Sequence, residues 1–563
     1  MLNERLEDLY LRKIKQRYEE ISRYLYSNIT PIEGIELRET LEFEKYQDAV
    51  TSEGYRPIKV GENWGGNGKS GWFKIRFALP PSFAGKPSAA LINIGFEGCV
   101  FVDGAPHQGV DRWHEEVLLA EKSEPGAKYE LVVEAMSGEY WQNRTEPAVF
   151  KRAEIATINR EVNDYWYALG FLLQLAETLP EKSVRRARLI RGLNKSVNSF
   201  DLDNTDEDSL RQSAIEAYDK LKPLLEKKAE PSALNLTCTG HAHIDVAWLW
   251  PYAETIRKCS RTFSTAIRYM EQYPDYVFSQ SQPQLYEFSK EHYPKLYEQI
   301  VKRVKEGRWE PVGGMWVESD TNLPSGESLV RQLVYGKRFF QDEFGIEVNN
   351  LWLPDVFGYS GALPQILKKV GVEYFTTIKL IWGNQFNKIP YSSFWWQGID
   401  GTCILTHMPP HGDYNSQIRP DILRKAQDDY AEKDRSEHVL YQFGWGDGGG
   451  GPDKTHLERL KLAKDLEGLP KCIQRPSAEF FADLKKEADS FPTWRGELYF
   501  ELHRGTYTSQ ARTKKNNRKA EFALRDAEIL SAAAMTFGAS YPAADLEKAW
   551  KTVLKNQFHD VIP

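Results

Sequence analysis

Apolar positions recur along the chain at different periods, and each change of period marks a change of architecture. Over residues 3–28, Leu6, Leu9, Tyr10, Ile14, Tyr18, Ile21 and Leu25 share one face of a 3.6-residue repeat, which predicts an amphipathic helix. Such a helix packs on its own chain by default, and an oligomer contact is the sharper alternative. From about 45 to 150 the period falls to two: residues 73–77 alternate strictly, 100–102 run into the turn pair Asp103-Gly104, and 129–133 follow. Short runs punctuated by Gly and Pro predict a jelly-roll-like β-sandwich. Residues 151–230 read as a helical connector, with helices near 165–179 and 208–228 and a polar break at 199–208. Within 231–490, the apolar runs 234–238, 276–279, 309–317, 350–353, 374–378, 403–406 and 439–443 alternate with amphipathic segments such as 286–307 and 325–344. That alternation predicts an α/β domain with a mainly parallel sheet. Residues 491–563, with helices at 518–534 and 543–557, predict part of a helical bundle, and residues 1–44 a helix and linker.

A chain of 563 residues is too long for one core and divides into three or four domains. Its 41% hydrophobic and 27% charged content is that of a soluble protein, and a net charge of −7 supplies no basic field for nucleic acid or anionic lipid. Aromatics reach 13%, with 16 Trp; sugar-binding clefts and Trp-rich cores both give such a count. The five cysteines (Cys99, Cys238, Cys259, Cys403, Cys472) form no C-x-x-C pair, as expected of buried free thiols in a reducing compartment. The charged N-terminus lacks a signal-peptide core, and no apolar run nears the ~20 residues of a membrane span. A cytoplasmic protein with neither membrane nor nucleic-acid partner is expected.

Four polar stretches follow apolar runs, where α/β folds place ligands. In Gly240-His241-Ala242-His243-Ile244-Asp245-Val246-Ala247-Trp248, extended alternation points His241, His243 and Asp245 the same way, as a divalent metal needs; a hydrogen-bonded strand end is the plainer alternative. Trp352-Leu353-Pro354-Asp355 ends a second run, where a lone Asp can equally be a helix cap. Gly444-Trp445-Gly446-Asp447-Gly448-Gly449-Gly450-Gly451-Pro452 demands positive φ or close approach around one Asp. It also matches G-x-G-x-x-G, but Asp447 would set a negative charge in a pyrophosphate cradle, so nucleotide binding is rejected. Asn556-Gln557-Phe558-His559-Asp560 closes the set. Asp355 and Asp447, on separate strand ends beside a metal set, supply the two carboxylates that glycoside cleavage requires.

These four stretches, in this order, resemble glycoside hydrolase family 38, the class II α-mannosidases, and within it the cytosolic/bacterial branch; 311–320 and 501–508 support the likeness. The resemblance spans about 234–563 and implies a barrel-like (β/α)7 catalytic domain. It implies that His243, Asp245, Asp355 and His559 bind a zinc-type divalent cation, cobalt being possible, with His241 set behind them. It further implies that Asp355 is the nucleophile, Asp447 the general acid/base, and Trp248, Lys379, Asp560 and Tyr507 substrate contacts. The reaction would be retaining, exo-acting hydrolysis of α-linked mannose from oligosaccharides, by a homo-oligomer. Val246-Ala247-Trp248 stands where secretory members more often carry Pro-Gly-Trp. Family members continue for several hundred residues of β-sandwich, so C-terminal β domains are expected beyond Pro563. Two alternatives stay open: a metal-dependent carbohydrate deacetylase on a related barrel, which has no need of Asp447, and a non-catalytic carbohydrate-binding protein.

Overall fold

The computed structural model of the protein describes residues 2–66, 68–137 and 147–563. The N-terminal helix runs Leu2–Ile21 and buries Ile14 and Ile21 against the chain's own helices, with Tyr18 stacked on Trp166 at 4.7 Å. It stops short of the expected 28. Residues Tyr26–Pro31 and Gly34–Thr40, expected as helix and linker, are strands. The first pairs with Arg152–Ile158 and the second with Ser70–Ala78, partners too distant in sequence for local periodicity to register.

The sandwich thus draws on strands on both sides of 45–150. Two antiparallel sheets, one of four and one of six strands, enclose a core that includes Phe73, Ile75, Ile92, Val133 and Ile155. The six-stranded sheet is covered on its other face as well. Trp72, Cys99 and Phe101 point away from the sandwich core into a larger one shared with the helices and the α/β domain. Strand Ala105–Val110 lies against helix Tyr252–Gln272, where Gly109 donates to Thr265 Oγ1 at 2.9 Å. A Cβ on Gly109 would meet Arg261 O at 3.1 Å, so the approach requires glycine.

Helices Arg160–Thr178, Val184–Ser199 and Glu207–Leu225 form the connector, the last two capped by Ser183 and Asp206. Seven strands then follow the seven apolar runs: β1 (Asn235–His241), β2 (Phe278–Gln280), β3 (Trp309–Pro311), β4 (Asn350–Trp352), β5 (Tyr374–Thr376), β6 (Cys403–His407) and β7 (His438–Phe443). They lie in two sheets, β3-β2-β1-β7 and β4-β5-β6, parallel within each; Lys471–Gln474 joins the first, and Ser393–Gln397 and Thr493–Arg495 extend the second. Among the described residues no backbone ladder joins β3 to β4 or β6 to β7. Side chains cross these seams instead: Asn350 Oδ1 accepts from Gly313 N at 3.3 Å, and His407 Nε2 from Leu440 N at 3.2 Å. The helix expected over 286–307 is two, Pro283–His292 and Pro294–Lys305, because Pro294 cannot donate within a helix and starts a new one.

Helices Ala511–Met535 and Ala543–Asn556 complete the chain, and Trp550, Leu554 and Phe558 enter the large core. No helix is long and apolar enough to cross a membrane among the described residues. The cysteines are free thiols, four of them buried.

The sandwich is fastened to helix Tyr252–Gln272 by a buried ion pair, Arg257 with Glu134 at 2.9 Å, and by two partly buried ones, Arg261 with Glu97 at 2.5 Å and Lys258 with Glu97 at 2.6 Å. Removing one partner of a buried pair strands the other charge, at a cost of about 3–5 kcal/mol. Glu134→Ala is therefore expected to lower the urea midpoint followed by tryptophan fluorescence. An unchanged midpoint would show that this contact does not hold the domains.

Candidate functional site

Strand β1 ends at His241, so His243 and Asp245 lie on irregular backbone beyond it, where the strand alternation expected of His241, His243 and Asp245 no longer holds. Gly240 is required just before the turn, since a Cβ would stand 2.6 Å from the Tyr276 ring. His241 is a neutral tie between the sheets. Its Nδ1–H donates to Ser279 O at 2.8 Å in β2, and Nε2 accepts from Trp352 Nε1 at 3.2 Å in β4. Burial pushes its pKa down to about 4, as that role requires.

His243 and Asp245 face the other way. His243 Nε2 is 2.9 Å from Asp245 Oδ1, and its Nδ1 is 2.8 Å from Glu318 Oε2. Burial lowers this imidazole's pKa, but the Glu318 and Asp245 carboxylates outweigh it and raise it well above the usual range. His559 arrives from the far end of the chain. Helix Ala543–Asn556 ends there, and Gln557 is held by Gln332, Ser328, Asn517 and Glu521, while Phe558 forms a bridge to Ser319. His559 Nδ1–H donates to Glu318 O at 2.7 Å, which leaves Nε2 as the lone-pair nitrogen. That fully buried atom makes no hydrogen bond of acceptable geometry; it lies 3.5 Å from Asp355 Oδ2 and 3.7 Å from Asp245 Oδ1.

His243, Asp245 and His559 bring ligand atoms within 4.8 Å of one another, and so do Asp355, His559 and Asp560. Two imidazole nitrogens and carboxylate oxygens around an orphaned Nε2 are a donor set for a zinc-type cation. Glu318 stands behind both imidazoles, its backbone carbonyl accepting from His559 Nδ1 and its carboxylate within 2.8 Å of His243 Nδ1, where outer partners of metal-bound histidines sit.

Asp355, just past β4, accepts from Lys379 Nζ at 2.5 Å. Burial raises this carboxyl, but the His559 imidazole and the Lys379 charge outweigh that and hold it well below the usual carboxylate range. Lys379 is itself buried, 4.4 Å over the Trp382 ring. Asp447 is the opposite case. It sits at φ 52°, in the left-handed region that Asp tolerates, at the tip of the glycine loop. Trp445 and Gly451 exchange hydrogen bonds at 3.0 and 2.9 Å across the loop's base, and Asn415 Oδ1 accepts from Gly446 N. Burial, then the Asp245 charge, raises Asp447 to about 7, and Tyr414 donates to its Oδ1 at 3.0 Å. Asp560 is raised to about 8 by the same two causes.

A cavity of about 450 Å³ gathers Asp245, Trp248, Asp355, Lys379, Asp447 and Asp560 on its wall. His243 and His559 lie fully buried beside it. Tyr507 is not on that wall. Its hydroxyl donates to Phe357 O at 2.9 Å and accepts from Asn322 at 3.0 Å, so it steadies the segment after Asp355. Sequence reasoning passed over two residues. Glu318, an acid just past the apolar run 309–317, was detectable as another polar group after such a run; Tyr414, in an irregular loop, carried no signal.

Residues 233–497 match the glycosyl hydrolases family 38 N-terminal domain, 501–563 the alpha mannosidase middle domain and 32–157 the alpha-mannosidase jelly roll domain. The chain is 39% identical to alpha-mannosidase G of Dictyostelium discoideum, over 92% of this chain and 48% of that protein. It is 37% identical to human alpha-mannosidase 2C1 over 92% of this chain and 50% of that one, and 32% to the alpha-mannosidase of Saccharomyces cerevisiae over 90% and 50%. The chain thus spans about half the length of the curated relatives it matches. An alpha-mannosidase structure from Enterococcus faecalis V583 shares the fold over 58% of this chain and 39% of that one, with a TM-score of 0.53 and 23% identity.

Glu318→Gln keeps the shape of the outer partner and removes its charge. It is expected to weaken divalent-cation binding about 10- to 100-fold, read by chelator competition. Unaltered affinity would rule out His243 as a ligand oriented by Glu318.

Proposed function

Since the chain belongs to glycosyl hydrolase family 38, we propose that the protein is a retaining, exo-acting α-mannosidase that releases terminal α-linked mannose from oligosaccharides. One observation carries this reading: a single cavity holds two carboxyls driven to opposite protonation states, Asp355 ionised and Asp447 protonated near neutrality. Retaining glycosidases need that division.

The sugar's anomeric carbon is placed against Asp355. The carboxylate oxygen forms a bond to that carbon as the glycosidic C–O bond breaks, and Asp447 delivers its proton to the departing oxygen. Asp447, now ionised, takes a proton from water; the water oxygen bonds to the anomeric carbon and Asp355 leaves with its electron pair. Lys379 keeps Asp355 ionised and aimed by its 2.5 Å contact. Trp248 and Asp560 supply an apolar wall and a hydrogen-bonding group for the ring and its hydroxyls. A divalent cation, zinc or cobalt, held by His243, Asp245, Asp355 and His559 would anchor sugar hydroxyls and favour ring distortion. The seven-stranded α/β domain serves as the barrel-like frame. Free thiols suit a reducing compartment such as the cytoplasm.

Asp447 must be protonated to act as the acid, so kcat/KM on an α-mannobiose is expected to fall as pH rises through a midpoint at or below about 7. A cation beside Asp245 and Asp355 offsets part of the negative field and moves the midpoint down, not up. Asp447→Asn should flatten that limb and cost about 10²- to 10⁴-fold on the disaccharide, but far less on a dinitrophenyl α-mannoside, whose leaving group needs no proton. Equal losses on both substrates would refute the acid role. The first product seen by NMR should be α-mannose, and β-mannose would refute retention.

A further inference from the structure

A second cavity, of about 540 Å³, lies between the jelly-roll and α/β domains, and it shares Asn415 and Asp447 with the first. That volume is within the range of small-ligand sites, about 300–1,000 Å³. We propose that this cleft is the leaving-group subsite: it receives the sugars on the reducing side of the scissile bond, so the jelly-roll domain helps select the oligosaccharide. The proposal rests on the α-mannosidase reading and names a part of the substrate which that reading leaves unplaced.

Direction comes from the chemistry of the acid. The group that protonates a glycosidic oxygen stands at the junction between the ring being attacked and the sugar departing. The ring attacked by Asp355 occupies the first cavity, whose wall contains both Asp355 and Asp447. The departing sugar must therefore lie on the other side of Asp447, and that side opens into the second cavity, whose wall contains Asp447 but not Asp355.

The lining fits a neutral, hydroxylated ligand. Phe96, Trp113 and Trp250 offer apolar surface for sugar CH groups, and Asn93, Lys151 and Asn415 offer donors and acceptors for hydroxyls. Charges on the wall are of both signs and in part mutually paired. Lys258 binds Glu97 at 2.6 Å, and the Arg112 guanidinium rests 3.9 Å over the Trp113 ring. The wall sets Glu97, Asp111, Glu254 and Asp447 against Arg112, Lys151 and Lys258, so it offers a phosphorylated or carboxylated ligand no net positive charge. The wall is also rigid. Trp113 stacks on Trp445 of the acid's own loop at 4.5 Å and 17°, and His114, bonded to Asp111, contacts Pro452 O at 3.1 Å. A Cβ on Gly450 would meet Asp111 and His114 at 3.0 Å, so the loop is glycine there to admit the jelly-roll. One domain interface thus positions the acid and builds the next subsite.

The test uses two jelly-roll residues of the cleft wall, Phe96 and Lys151, changed singly to Ala in the intact protein. The readout is the ratio of kcat/KM on an α-linked mannotriose to that on an aryl α-mannoside, whose leaving group cannot fill the cleft. The ratio is expected to fall at least five-fold in Phe96→Ala, to fall in Lys151→Ala, and to be kept in Phe96→Tyr. An unchanged ratio, or equal loss on both substrates, overturns the subsite while leaving the α-mannosidase reading intact. If the unaltered protein cleaves neither substrate, the α-mannosidase reading fails and the subsite with it.

Discussion

Five carboxyl groups line one cavity, and the mutual repulsion of four of them, Asp245, Asp355, Asp447 and Asp560, is the constraint that the rest of the site answers. Two like charges 4 Å apart cost about 4 kcal/mol at an effective dielectric constant of 20, so four ionised groups cannot coexist there uncompensated. The relief is uneven. Asp355 is paired with Lys379 and faces His559, so it stays ionised; for Asp447 and Asp560, burial and the Asp245 charge outweigh the nearby imidazoles and raise both carboxyls. Asp245 is met by the imidazoles of His243 and His559, at the point where a divalent cation would concentrate the most positive charge. The different protonation of Asp355 and Asp447 thus follows from which carboxyl received a fixed cation.

That arrangement needs rigid delivery from distant segments. The imidazoles of His243 and His559 lie more than 300 positions apart in the chain, yet one residue, Glu318, stands behind both. The helix that brings His559 is locked by Gln557, whose amide reaches Ser328, Asn517 and Glu521 in a buried polar network. His241, kept neutral, ties β2 and β4 across a junction that no backbone ladder closes. Side chains bridge where strands do not. Each of these contacts is buried, so losing one partner would leave the other unsatisfied, and the geometry is correspondingly stiff.

The jelly-roll domain belongs to the same mechanical system. Its buried and partly buried ion pairs hold helix Tyr252–Gln272, and its segment around Asp111 to His114 presses on the glycine loop that carries Asp447. Lys258 joins the two, contacting Glu97 of the sandwich and lying 3.5 Å from Gly448 O next to the acid. Glycines at 448 and 450 sit at φ +74° and +93°, which favour glycine, and at 450 the Asp111 and His114 side chains also stand 3.0 Å from where a Cβ would be. The run of glycines therefore reflects crowding from outside the loop as much as its own turns.

Much of this was legible in the chain itself. Each of the seven apolar runs became a strand, since burial in a parallel sheet requires a continuous apolar segment, and such a segment is visible without knowing its partners. Histidines and aspartates placed just after those runs marked the cavity, because strand ends are where an α/β fold exposes polar groups. Local pattern stopped where pairing was long-range: Tyr26–Pro31 is a strand only because Arg152–Ile158 lies beside it. It stopped again at orientation. His241 and His243 look equivalent in sequence, and only the end of β1 at His241 leaves one at the sheet seam and the other on irregular backbone beside the cavity. Tyr507 looked like a sugar contact, and the fold uses it to hold a backbone carbonyl. Residue chemistry and spacing are properties of the chain, and they determined which groups were available. Which carboxyl keeps its proton depends on distances to Lys379, His559 and Asp245, and those distances exist only once the chain is folded.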